Sequence, residues 1–306
     1  MHFLLGDVSK LFSFTALCVL VALAPRAVFA ESKFSLGPFL GMHRPVVEDL
    51  NEGEFKSPIS GMATIVNFQD DTQTQERIYI QNPLPALGIG ANAGLELQWA
   101  YNAKYSVIVG GSSWEASSSA SVQGPFAIQG VRSDVITVRT ATLSYNEFYV
   151  GLRRNTVIVP DKFKLYYRAT LNEIFDIDYR ENIAFNYLNG PAAGVNKSVI
   201  LETQATGVLA LQTGIGVEFF LLKWLSFSAD ASYLIGLRGA SLQENGDPKQ
   251  DFLFSDNLNL WLPQRIGPES SNLEYLSQEA ANKEDYRPLK LNFDGWKLLF
   301  RINALF

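Results

Sequence analysis

The sequence predicts an all-β fold: a transmembrane, antiparallel, up-and-down β-barrel of eight strands, with short turns at one end and long loops at the other. Three observations carry this expectation. Apolar and polar residues alternate with a period of two along most of the 306-residue chain, which puts them on opposite faces of a strand. Past the first thirty residues, no stretch reaches the eighteen apolar residues that a membrane helix needs. The connections alternate in length: Tyr101–Ala103, Arg154–Lys162 and Leu222–Lys223 are short, whereas 44–85, 116–135, 173–205 and 237–288 are long. Soluble domains seldom hold several connections beyond about 15 residues. A membrane barrel with both ends on one side has short turns there and long loops opposite.

Residues 1–30 read as a cleaved secretory signal peptide. An apolar run, Leu11–Leu23, ends at Pro25 and Arg26, and Val28-Phe29-Ala30 sets compact residues at −3 and −1 of a cleavage site. The run is too short to span about 30 Å of hydrocarbon. The single cysteine, Cys18, lies inside it, and Thr15 and Leu17 do not fit a lipoprotein box. Residues 31–306 are then one barrel domain without disulfide or thiolate chemistry. The whole chain carries a net charge of −6. Losing Lys10, Arg26 and Asp7 makes it slightly more acidic, which argues against nucleic acid as a partner.

Each strand is justified by its alternation. The first, 33–43, has Phe34, Leu36, Leu40 and Met42 on one face. The second, 86–100, sets Leu87, Ile89, Ala91, Ala93, Leu95, Leu97 and Trp99 against Gly88, Gly90, Asn92, Gly94, Glu96 and Gln98. The third, 104–115, sets Tyr105, Val107 and Val109 against Ser106, Gly110 and Ser112, interrupted by Ile108. The fourth, 136–153, ends in Phe148, Val150 and Leu152 against Glu147, Tyr149 and Arg153; its upper half is out of phase, so a bulge is expected near Tyr145. The fifth, 163–172, sets Leu165, Tyr167, Ala169 and Leu171 against Lys164, Tyr166 and Arg168. The sixth, 206–221, sets Leu211, Ile215, Val217 and Phe219 against Gln212, Gly214, Gly216 and Glu218. The seventh, 224–236, sets Phe227, Ala229, Ala231 and Tyr233 against Ser226, Ser228, Asp230 and Ser232. The eighth runs from about 289 to Phe306. Two arms in the 44–85 loop, 59–68 and 77–82, could form a further hairpin. If they reached the membrane the barrel would have ten strands; Ile65 and Val66 break their alternation, which favours eight.

The final stretch, Trp296–Phe306, alternates through Phe300, Ile302 and Ala304 to Phe306. It resembles the closing strand of bacterial outer-membrane β-barrels, whose terminal Phe is read by the assembly machinery. Two hairpins, GIGANAGLELQWAYNAKYSV from Gly88 and GIGVEFFLLKWLSFSADASY from Gly214, share a glycine-rich strand, an acidic residue, an aromatic turn and a small-polar return strand. That pattern is similar to the repeating hairpin of OmpA-like and OmpW-like outer-membrane barrels. The resemblance implies a cell outer-membrane location in a diderm bacterium. It also implies partners: outer-membrane lipids and lipopolysaccharide, the barrel-assembly machinery, and periplasmic chaperones.

Aromatic residues cluster beside the short turns: Trp99, Tyr101, Tyr105, Phe163, Phe219 and Trp224, with Phe306. They suit a membrane-interface girdle, because amphipathic rings favour the lipid–water boundary. The polar faces carry Glu96, Glu147, Arg153, Lys164, Arg168, Glu218, Asp230, Lys297 and Arg301. An eight-stranded barrel is just wide enough for side chains to fill it, and buried charges must be paired, so these residues are expected to form a salt-bridged interior. A transport path is the sharper reading of the same residues. Glycines at 88, 90, 94, 214 and 216 leave room for long side chains from across the barrel.

Chemistry is sparse. His43 is the only histidine after the leader, so metal sites of several His or Cys ligands are excluded, and no cofactor motif stands out. A Ser–His–acid arrangement needs only one His, and His43 lies where the first strand should emerge at the cell surface, the side on which some lipid-modifying outer-membrane barrels use a His. Gly88-Ile89-Gly90 with Gly94 imitates a dinucleotide fingerprint but continues as strand where a helix must start. Acids outnumber bases in the 44–85 and 237–288 loops. They present a candidate surface for an extracellular ligand or divalent cations, although solvated loops have the same composition. Apolar clusters, Phe252-Leu253-Phe254 and Leu258 to Leu262, suggest loops folding over the mouth. The expected role is therefore structural or surface-binding, without catalysis. A narrow passive pore for small, including hydrophobic, solutes is second, and a lipid-modifying enzyme using His43 is third.

Overall fold

The computed structural model describes residues 33–56, 59–67, 72–128, 131–189, 193–194, 196–205, 207–241, 259–263, 274–276, 286–288 and 290–306. The leader and its cleavage site fall outside them. Eight strands form the barrel: β1 (Phe34–Pro45), β2 (Gly90–Ala100), β3 (Tyr105–Ile128), β4 (Val131–Val159), β5 (Phe163–Tyr187), β6 (Val208–Leu222), β7 (Leu225–Gly236) and β8 (Gly295–Leu305). Each pairs antiparallel with the next, and β8 closes on β1. The hairpin in the first long loop is real: Ile59–Asn67 pairs with Thr72–Ile80. It forms its own two-stranded sheet, so the ring has eight strands.

The register fixes the barrel's shape. Following paired residues around the ring leads from Phe34 through Trp99, Val107, Leu152, Ala169, Thr213, Tyr233 and Trp296 to Arg44, a stagger of ten residues. At about 3.3 Å per residue against strands about 4.8 Å apart, that corresponds to a tilt of about 40°, within the range for closed barrels. Ten residues of such a strand rise about 25 Å along the axis, the height of a lipid-facing band. Correcting for the stagger puts Phe34, Trp99, Tyr105, Phe163, Phe219, Trp224 and Phe306 near one level. The opposite edge of the band falls near Arg44, Glu115, Asn146, Glu173, Leu209 and Trp296.

Within the band, the outward residues are apolar and exposed, among them Leu40, Leu97, Phe148, Leu152, Leu171, Ile215, Phe227 and Ile302. Above it, β3, β4 and β5 continue. They contain 24, 29 and 25 residues, against the roughly 9–11 a tilted membrane strand needs. Asn196–Ala205 pairs with the upper half of β5 and completes a sheet that stands out of the membrane. Much of the expected loops 116–135 and 173–205 is therefore strand.

In this wall the faces exchange character. On β4, outward Phe148 and Val150 give way to Ser144, Thr142 and Thr140. Inward Glu147 and Arg153 give way to buried Tyr145, Leu143 and Ala141. The out-of-phase upper half thus reflects water outside and protein inside, and odd residues of β4 point inward from Ser133 to Asn155. The irregularity at Tyr145 belongs to its partner. Ser144 pairs with Asp178 but Asn146 with Phe175, and Asp176 has a φ of 48°. That extra residue moves the inward set of β5 from even (Tyr166, Arg168, Asn172, Ile174) to odd (Ile177, Tyr179, Ile183, Phe185) positions. Ile108, which broke the β3 pattern, points inward and is fully buried.

The glycines serve neighbours rather than the far wall. Gly94 pairs with Phe39, Gly110 with Tyr149 and Gly216 with Tyr166, and a Cβ at each would strike that ring. An inward aromatic thus lies over a glycine of the adjacent strand, an arrangement that shields the glycine backbone. Gly90 abuts Trp114 and Gly214 abuts Ser232, while Gly88 precedes β2 and has nothing near it.

Candidate functional site

The barrel interior is built in layers from residues of alternating parity. In the lowest, Arg153 is ion-paired with Glu218. Its Nη1 donates to Gln98 Oε1 at 3.0 Å, its Nε donates to Asn155 Oδ1 at 2.7 Å, and its guanidinium lies 3.6 Å from the Tyr166 ring centre. In the middle layer, Arg168 lies 3.0 Å from Glu96 Oε2 and 3.3 Å from Asp230 Oδ2. Arg301 is ion-paired with Asp230 and lies 3.4 Å from Glu96 Oε1. Tyr149 donates to Glu96 and Tyr166 to Asp230. In the upper layer, Lys297 Nζ donates to both Glu147 oxygens at 2.6 and 2.7 Å. Asn172 and Ser112 also donate to Glu147, and Asn172 extends the chain to Gln212 and Ser232.

Each layer balances its own charge, as burial requires. Lys164 is the surplus base. It sits half-buried at the lower rim, 4.5 Å from the Phe220 ring centre. The other eight expected interior charges are all buried, at 5 % exposure or less. Side chains from β2, β5, β7 and β8 meet in the middle layer.

Above these layers lies an apolar lid. His43 points inward and is fully buried. Its Nδ1 lies 2.6 Å from the Tyr145 hydroxyl, its carbonyl accepts from Trp114 Nε1, and the Tyr145 ring packs on Trp114 and Phe293. The surface position expected for His43 is thus replaced by a packed one, because odd residues of β1 face the interior. A π-helical turn, Asp49–Gly53, and a 3₁₀ turn, Glu54–Lys56, then drop Val47, Leu50 and Phe55 into the mouth. The segment before β2 adds Leu84 and Leu87, and the segment before β8 adds Leu291 and Phe293.

One buried ionic site escaped the sequence reading. Arg139 of β4 donates from Nη2 to Glu54 Oε1 (2.7 Å) and to the Glu54 carbonyl (2.8 Å). Its Nε donates to Glu181 of β5 at 2.5 Å, and Tyr179 donates to the other Glu181 oxygen at 2.7 Å. Asn82 donates to Thr137 beside it. Burial, then the adjacent Glu181 carboxylate, holds the Glu54 carboxyl well above the usual carboxylate range. Glu54 belongs to the acidic 44–85 loop, whose composition alone suits solvated acids. The apolar spacing Val47–Leu50–Phe55 around it was the available signal that this segment is buried on one side.

The girdle residues Trp99, Tyr101, Tyr105, Phe219, Trp224 and Phe306 are exposed around the lower edge, with Phe163 half-buried opposite Phe219. Phe300, Ile302 and Ala304 face outward on β8, and Phe306 exchanges backbone hydrogen bonds with Phe34. An outer aromatic pair went unnoticed: Tyr233 and Trp296, ring centres 5.2 Å apart. The apolar clusters of the last loop, 252–254 and 258–262, contribute no described side chains; Asn259–Pro263 is strand, paired with 274–276 and 286–288. Among the described residues, no group of His, Cys, Asp or Glu is arranged to hold a metal ion.

No protein-family profile and no curated protein matches the chain. Among solved structures, the chain is similar to Ail, the attachment invasion locus protein of Yersinia pestis, in complex with the heparin analogue sucrose octasulfate. That match has a TM-score of 0.29 and 10 % identity, and covers 89 % of this chain and 98 % of that one. It is also similar to an outer membrane channel from Pseudomonas putida F1, with a TM-score of 0.23 and 8 % identity, covering 93 % of this chain and 100 % of that one. A third is a Pseudomonas aeruginosa FadL homologue, with a TM-score of 0.17 and 7 % identity, covering 90 % of this chain and 91 % of that one.

Proposed function

We propose that this protein is a sealed outer-membrane barrel whose work is structural and surface-binding, not transport or catalysis. The carrying observation is the middle layer, where Arg168 and Arg301 are held against Glu96 and Asp230 from wall to wall. A covered mouth and a tall extracellular wall support the same reading. The wall's outer face, with Ser117, Ser119, Thr140, Thr142, Arg180 and Asn182, is the surface offered to an extracellular ligand. Export through the 1–30 leader, handling by periplasmic chaperones, and insertion by the assembly machinery reading Phe306 belong to this proposal. So does a surrounding of lipopolysaccharide. The full burial of His43 and its contact with Tyr145 support the non-catalytic part of the reading. The test is single-channel conductance of the refolded protein in a planar bilayer. A silent, heat-modifiable barrel is expected, and a steady ohmic current overturns the reading. Lipid composition is expected to be unchanged between wild type and His43→Ala; a change overturns the non-catalytic part.

A further inference from the structure

The upper edge of the lipid-facing band is electrically lopsided. On β3 and β5 its exposed charges are acidic: Glu115, Glu173 and Asp176. On the opposite side, around β1, β7 and β8, the exposed bases Arg44, Arg238 and Lys290 outnumber the one exposed acid described there, Glu48. The basic side also carries a cleft of about 400 Å³, lined by Val46, Glu48, Asp49, Arg238, Lys290 and Asn292. Gly236 and Gly239 form part of its wall, so backbone is accessible there. Below the cleft, Arg44, Trp296 and Tyr233 are successive partners in one row across three strands. Trp296 is 66 % exposed, and Leu237 and Val46 beside it are 61 % and 51 % exposed. The cleft therefore opens where apolar surface ends and water begins.

We propose that this cleft binds a phosphorylated glycolipid headgroup from the surrounding leaflet. The site rests on the outer-membrane reading above and gives it a specific lipid contact. Arg238 and Lys290 supply the cationic donors for a phosphomonoester, with Arg44 adding positive charge below. Glu48, Asp49 and Asn292 are the acceptors and donors that sugar hydroxyls require. Trp296 and Tyr233 provide an interfacial aromatic platform at the level where acyl chain meets headgroup. The acidic side, with Glu115, Glu173 and Asp176, repels the same phosphate, so the barrel presents one preferred side to such a lipid.

The experiment uses the mature barrel refolded into vesicles of brominated-chain phosphatidylcholine, which quenches tryptophans at the lipid surface. The Trp296 signal is isolated by difference from Trp296→Phe. Unbrominated bisphosphorylated lipid A is then added, and its dephosphorylated form in parallel. The phosphorylated lipid is expected to relieve the quenching of Trp296 at about a tenfold lower mole fraction. Arg238→Gln combined with Lys290→Gln should abolish that preference while keeping heat-modifiable migration, and Glu173→Gln should retain it. Equal relief by both lipids, or an undiminished preference in the double variant, overturns the site. Loss of the preference in millimolar inorganic phosphate, as complete as in the double variant, assigns the cleft to free phosphate and overturns the lipid. If brominated phosphatidylcholine does not quench Trp296 at all, the membrane reading itself fails; quenching without preference overturns the lipid site alone.

Discussion

Replacing Arg139 by Ala should release the segment that covers the barrel mouth, while Glu54→Gln should leave it docked. Arg139 is 2 % exposed and holds the covering segment through both the carboxylate and the carbonyl of Glu54, while pairing with Glu181 on the wall. Removing it strands a fully buried Glu181 with only Tyr179 donating to it among the bonds described above. Stranding one partner of a buried ionic pair costs about 3–5 kcal/mol, or roughly 10²–10⁴-fold in the opening equilibrium. Glu54 differs because burial and the neighbouring Glu181 raise its carboxyl toward the neutral form. Gln reproduces that form and keeps an acceptor for Arg139, so its cost should stay within about 1 kcal/mol. The raised value also sets a pH dependence. Glu54's contribution to docking is complete below its unfolded value, about 4.3, and is lost as pH rises through the raised folded value. Hydrogen exchange in proteoliposomes, corrected for intrinsic rates, reads this directly at the amides of 47–56 and 84–87. Protection should fall with rising pH in wild type and stay flat in Glu54→Gln. If Glu54→Gln loosens the segment as much as Arg139→Ala, or protection rises with pH, the reasoning is wrong.

The charged layers give a second expectation. Glu147→Gln leaves Lys297 buried without its anion and should lower stability by about 3–5 kcal/mol, while adding Lys297→Met should recover a large part; urea unfolding in vesicles measures both. Gly216→Val would drive a side chain into Tyr166 and Asp230. It should cost about 1–3 kcal/mol, seen as a lower temperature of heat modification, whereas Gly88→Ala, with open space around it, should change little.

The lower barrel was legible because lipid outside and a polar interior produce the strongest period-two contrast a strand can show. Trp99 against Glu96, or Phe300 against Arg301, leaves little ambiguity. The wall was not legible for the opposite reason. Above the band, Ser117 and Ser119 face water while Ser118 faces protein and bonds to the Pro85 carbonyl, so hydropathy along 116–121 carries almost no alternation. On β4 the contrast survives but inverts at Asn146, and inversion in sequence looks like slippage. The layered pairing of Glu96, Asp230, Arg168 and Arg301 was foreseeable as a balanced set, but its grouping depends on a stagger of ten that no single strand encodes. Glu54 was hidden by composition, since an acid among acids in a long loop reads as solvated until Arg139, 85 residues away, is placed over it.

The extra residue at Asp176 has a consequence for how this chain tolerates change. Below it, β5 is written in one reading frame, and above it in the other. Losing Asp176 itself would only restore regular pairing, with Ile174 and Ile177 both still inward, whereas losing Asp178 would transpose everything above it. Arg180, Asn182 and Asn186 would then turn into the packed mouth, and Tyr179, Ile183 and Phe185 out into water. The wall is thus coupled to the barrel by parity. Away from the bulge, additions or deletions on this strand above the membrane preserve the protein only in even numbers, or when compensated before Tyr187.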